Sequence, residues 1–65
     1  MKLILSKHAI EQARERGISI KQIREVIKRG SKYLQGEKIV SEYTYIRIVY
    51  KKLKDENFVI TVMIK

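Results

Sequence analysis

The chain has no cysteine, no proline and no tryptophan, and only one histidine, one phenylalanine and three glycines in 65 residues. Without cysteine there is no disulfide and no thiolate for a zinc site. A core this small must then rely on regular packing or on association, a homodimer included. The single His8 and the scattered acids Glu11, Glu15, Glu25, Glu37, Glu42, Asp55 and Glu56 show no metal-ligand spacing, so neither a metal nor another cofactor is expected. No apolar run approaches the roughly 18 residues of a membrane span. The opening Met1-Lys2-Leu3-Ile4-Leu5-Ser6-Lys7 is too short in apolar residues for a signal peptide. A cytoplasmic protein with no membrane partner is expected.

Acidic residues are also scarce. Seven Asp and Glu stand against 15 Lys and Arg, a net charge of +8 with a pI near 10.0. That balance points to an anionic partner, nucleic acid first and an acidic protein second. The competing reading is a lysine-rich surface that serves only solubility. The composition, rich in Lys, Glu and Ile, is of the kind thermophiles use.

The length allows one domain, residues 1–65. Ser6 suits a helix N-cap, and good helix formers follow to Arg16, with Gly17 free to take the left-handed residue that ends the helix. Ser19 caps a second helix, in which Ile20, Ile23, Val26 and Ile27 form one apolar arc up to Gly30. Helices over residues 7–16 and 20–29 are therefore predicted, joined as a hairpin whose small Ala9 and Ala13 let the second helix approach. After Ser31 the period changes to two. Tyr33-Leu34 and Lys38 to Tyr43 flank a turn at Gln35-Gly36-Glu37. Tyr45 to Lys52 alternates, with Ile46, Ile48 and Tyr50 on one face and Tyr45, Arg47, Val49 and Lys51 on the other. Lys54-Asp55-Glu56-Asn57 reads as a polar turn. The last strand, Phe58 to Ile64, sets Phe58, Ile60, Val62 and Ile64 against Val59, Thr61 and Met63. The expectation is an α+β domain, an N-terminal helical hairpin packed on a three- to four-stranded antiparallel sheet. Ile20, Ile23, Ile27, Ile46, Ile48, Ile60 and Val62 should be its buried residues.

His8, in the first helical turn, is the candidate acid or base. Unpaired amides there disfavour a positive charge, which suits a base. Gln12 and Arg16 follow on the same stripe. An imidazole beside a guanidinium fits phosphodiester cleavage, the base taking a 2′-hydroxyl proton while the cation stabilises the phosphorus centre. His8 and Arg16 are thus the catalytic candidates, against a purely local packing role for His8. Arg14 is a candidate phosphate contact, and so are Arg24 and Lys28 on the basic ridge of the second helix. Tyr45, Arg47 and Lys51 would form a stacking and phosphate-binding strand. The apolar Val49, Val59 and Met63 beside them would suit a protein partner equally well.

The string His8-Ala9, then Arg16-Gly17-Ile18-Ser19, Gly30 and the closing Val59-Ile60-Thr61-Val62 resembles the small prokaryotic domains of the DUF4258 family. Gln12 stands where that pattern has an arginine, with Arg14 close by. The helical hairpin before a sheet, with Ile46-Arg47-Ile48-Val49-Tyr50 at its centre, looks like the RelE and BrnT toxin fold. That resemblance implies a RelE-like, metal-independent endoribonuclease toxin acting on RNA, ribosome-associated RNA included, and held by an acidic antitoxin. The alternative from the residues alone is a non-catalytic module binding nucleic acid or protein through a basic surface.

Overall fold

Ser6 and Ser19 each open a helix in the computed structural model, which describes residues 2–65. In α1 (Lys7–Arg16) the Ser6 hydroxyl accepts the Ala9 N–H at 3.0 Å. In α2 (Ile20–Arg29) Ser19 and Gln22 cap reciprocally, at 3.1 and 2.8 Å. Gly17 ends α1 at φ 67°, as its freedom from Cβ allows. Gly30 ends α2 differently. Its φ is −71°, and it is needed for close approach: a Cβ there would collide with the Ser41 hydroxyl and the Val26 carbonyl.

Both helices match their predicted spans, but the hairpin on a three- to four-stranded antiparallel sheet does not form. The chain begins with a strand, β1 (Lys2–Leu5), and continues after the helices with β2 (Ser31–Gln35), β3 (Lys38–Tyr43), β4 (Ile46–Leu53) and β5 (Glu56–Ile64). The five strands make one mixed sheet in the order β1-β5-β4-β3-β2. Four run as an antiparallel meander, while β1 pairs parallel with β5, Leu3 opposite Asn57 and Leu5 opposite Val59. The expected three- to four-stranded antiparallel sheet under an N-terminal hairpin is therefore replaced by this five-stranded mixed sheet.

The helices pack on the sheet rather than on each other, α1 over β5 and β1, α2 over β3 and β4. Ala9 and Ala13 serve this docking, their small side chains bringing α1 close to the sheet. With Ile23, Val26 and Ile27 they meet Ile46, Ile48, Tyr50, Val59 and Val62, all buried. Each large aliphatic side chain taken out of water here contributes about 1.5–3 kcal/mol. Ile20, expected in the core, is 47 % exposed, because the arc meets the sheet one turn later, at Ile23. Ile60, also expected inside, is half-buried. The register of β4 on β5 shifts at Val49/Tyr50, which face Thr61 and Val59 and leave Ile60 as the extra residue. This bulge resets the alternation, so Val59 and Val62 both reach the core instead of opposite faces. The polar turn is also shorter than expected: only Lys54-Asp55 turn, and Glu56 and Asn57 begin β5.

Ser41, fully buried in β3, donates its hydroxyl to the Val26 carbonyl at 2.6 Å, and the Gly30 N–H donates to the same oxygen at 2.8 Å. A methyl group on residue 30 would have to displace this pair. Gly30→Ala should therefore lower the unfolding free energy by about 1–3 kcal/mol, read from urea denaturation. An unchanged midpoint would show that the helix end has room to spare.

Candidate functional site

The sheet separates the residues singled out in the sequence. His8 lies exposed near the N-terminus of α1, on the helix-bearing face of the sheet. Arg47 and Lys51 alternate with the core residues Ile48 and Tyr50 and so stand on the opposite, open face. Arg14 and Arg16 are exposed in the last turn of α1, Arg16 lying 3.5 Å from the Gln12 carbonyl and 3.8 Å from Glu15. Gln12 does not join His8 and Arg16 in a reactive stripe. Its side-chain oxygen accepts the Val62 N–H at 2.9 Å and ties α1 to β5.

Arg47 is committed elsewhere, its Nε donating to Glu42 at 2.6 Å, and Lys65 approaches the same carboxylate at 3.9 Å. Lys51 lies 4.0 Å from Glu37. Tyr45 does not share their face. It sits in the turn between β3 and β4, where its hydroxyl receives the Gln22 amide of α2 at 3.4 Å. It borders a small hollow of about 150 Å³ that contains Glu25 and no cation. Arg24 is half-buried on α2 and lines none of the three hollows described, and neither does His8.

One concavity gathers cations from several elements. At the C-terminal end of α2, Lys28 meets Lys32 of β2, Lys52 of β4 and Lys54 of the following turn around a space of about 330 Å³. Tyr50 and Asn57 line its deeper part and are 3 % and 8 % exposed. The register explains the grouping. Lys52 pairs with Asn57, two residues beyond the buried Tyr50, so both rise on the helix side where α2 has just ended. Lys32 is drawn toward α2 by donating to the Gly30 carbonyl at 3.0 Å. Lys54 holds φ 40°, a left-handed conformation that lysine adopts only with strain.

Asp55 and Glu56 border the same space, but Lys2 lies 3.5 Å from Glu56. Among the described residues none of the four lysines stands in an ion pair. A shallower hollow continues around the same turn past Lys2 and Leu53. The arrangement offers four ammonium donors, an amide and a phenol. Against the two carboxylates of Asp55 and Glu56, that set carries excess positive charge and can hold an anion, and no imidazole lines it. No cluster of three or more metal-ligating side chains occurs among the described residues, and no helix there is long and apolar enough to cross a membrane.

Sequence reasoning found only Lys28 of this group. In the sequence Lys52 reads as the end of an alternating strand, Lys54 and Asn57 as part of a polar turn, and Tyr50 as core. The signal was the parity of Tyr50 and Lys52, which places a lysine just past the last buried residue of the strand.

Burial pushes the Tyr50 phenol above the ordinary tyrosine value of 10.0. The folded protein then keeps a proton that the unfolded chain loses, so this group's stabilising effect is complete below the ordinary value and declines as pH rises through the folded one. Between about pH 9 and 11, wild type should lose stability more steeply than Tyr50→Phe, which has no phenol to ionise. Urea midpoints across that range measure it, and parallel curves would place the phenol in water.

The family model described as "Domain of unknown function (DUF4258)" matches residues 5–64. No curated protein and no solved structure matches the chain.

Proposed function

Because the chain belongs to the DUF4258 family, whose function is unknown, we propose from its own geometry that it is a non-catalytic module that binds single-stranded RNA by its phosphates. The observation that carries this reading is the lysine-lined concavity beside Tyr50 and Asn57. Its volume of about 330 Å³ suits one nucleotide unit rather than a duplex. The hollow that continues past Lys2 shares Lys52 and Lys54 with the concavity and leaves room for the neighbouring nucleotide. Tyr50 and Asn57 can hydrogen-bond a ribose or phosphate oxygen at the deep end, and the net charge of +8 draws the polyanion in. His8 has no catalytic part in this reading, since it is apart from the concavity. A cytoplasmic location, where RNA is abundant, goes with it.

A fluorescent single-stranded RNA titrated at several salt concentrations tests the proposal. Four neutralised phosphates give a slope of log K against log salt of about −3, and removal of one lysine should flatten it by about 0.7. Lys52→Glu should weaken binding about tenfold or more, whereas Arg47→Glu, whose charge Glu42 already offsets, should change it far less. Absence of binding at low salt, or equal losses for the two variants, would overturn the reading.

Lys54 supplies a second check. Lys54→Gly relieves a left-handed backbone and should raise stability by about 0.5–1 kcal/mol. The same change should lower RNA affinity. A variant that gains stability and keeps full affinity would remove Lys54 from the site.

A further inference from the structure

β2 is the outer edge of the sheet, and all five of its residues are exposed. Leu34 is 77 % exposed and Tyr33 49 %, so apolar groups stand on both faces of one edge strand. The Gln35–Lys38 pair closes a two-residue turn in which Gly36 has φ 65°. In the alternation of an antiparallel ladder, Ser31, Tyr33 and Gln35 then spend their backbone groups on β3. The N–H and C=O of Lys32 and Leu34 point the other way, where no strand follows. Edge strands are commonly blunted by proline, by bulges or by an inward charge. β2 has no proline, keeps an unbroken register with β3, and folds its one lysine back onto the Gly30 carbonyl.

Charge selects what can lie there. β2 carries no acid; Lys28 and Arg29 end the helix before it, Lys32 lies in it and Lys38 stands opposite Gln35. Glu42, opposite Ser31, is taken by Arg47 and Lys65. Glu37, in the adjoining turn, faces Lys51 at 4.0 Å. A second copy of the chain would bring the same cations against these, with +8 facing +8. We infer that β2 is the docking edge for an extended acidic segment of a partner protein, which adds to the sheet as a sixth strand. The outward groups of Lys32 and Leu34 supply its main-chain hydrogen bonds, an apolar residue of the partner covers Leu34, and its carboxylates meet the surrounding lysines. This surface is separate from the Tyr50 concavity except for Lys28 and Lys32 on its rim.

Two short peptides alternating valine with glutamate or with lysine serve as probes. The glutamate peptide should bind and should slow hydrogen exchange at the Lys32 and Leu34 amides. Leu34→Pro removes an outward N–H while leaving the bonds to β3, and should weaken this peptide by about tenfold, with RNA affinity unchanged. Leu34→Glu, at a site exposed enough to tolerate it, should give a similar loss through repulsion and covers the case in which the proline variant fails to fold. Equal binding of the lysine peptide, no binding of either, or protection confined to other strands would overturn the inference. So would self-association of the free protein that Leu34→Pro abolishes, which would assign the edge to a second copy.

Discussion

The fold hangs on what Ser6 does at the junction of β1 and α1. Its hydroxyl accepts the Ala9 N–H and donates to the Ile60 carbonyl at 3.1 Å, while its own N–H donates to the Val59 carbonyl at 2.9 Å. One residue thus caps a helix and holds the last strand at its bulge, 54 positions away in sequence. β1 stops there, and β5 runs on without a partner on that side. Gln12 takes over six residues later by accepting the Val62 N–H. The start of α1 therefore substitutes for a longer β1, satisfying backbone groups that an abbreviated strand would leave bare. Closing so long a loop is entropically costly. The return is that Leu3 and Leu5 join the core from the far end of the chain.

With both helices on one face, the other face of the sheet must protect itself. Val40 and Val49 are 1 % and 7 % exposed there, although no helix covers them. Their neighbours across the strands are Tyr33, Thr61, and the linked side chains of Arg47 and Glu42, with Lys51 and Met63 alongside. Long amphipathic side chains can lay their stems over apolar surface and keep their charged ends in water. The Arg47–Glu42 contact holds that layer in place more than it adds free energy, since partly exposed ion pairs contribute little. This is why the strand that looked most suited to nucleic acid in the sequence carries little free positive charge.

Both helices could be read because their ends are written locally: serine caps, a left-handed glycine, and an arc whose spacing needs no knowledge of the rest. The meander was legible for the same reason, through alternation and short turns. β1 was not, because four residues of Lys-Leu-Ile-Leu acquire a role only when β5 lies beside them. The bulge at Ile60 is equally silent in the sequence, and it inverted the faces assigned to Val59 and its neighbours. Tyr45 was misplaced by extending the strand alternation one residue into a turn. The lysine-lined concavity depends on register, because Lys28, Lys32, Lys52 and Lys54 come from four elements and meet only once α2 stops short of the end of β4. Exposure of β2 shows the same dependence: its apolar residues look like core until the sheet order leaves them outside.

The acids then decide where the net charge is felt. Glu15, Glu37, Glu42 and Glu56 each lie within 4.0 Å of a cation, on α1, on the open sheet face or at the β1 edge. Each such pair, exposed to water, adds little to stability. Together they cancel positive potential at those places and leave an excess of it at the end of α2, where four lysines, unpaired among the described residues, outnumber Asp55 and Glu56. Repulsion among those lysines opposes the compact state, and the left-handed backbone at Lys54 adds strain at the same spot. Asp55 and Glu56 border the space without closing an ion pair on any of the four lysines, and a sequence shaped only for stability would have placed a glycine at position 54. An anion drawn into the concavity relieves the repulsion and replaces lost hydration with ammonium, amide and phenol donors.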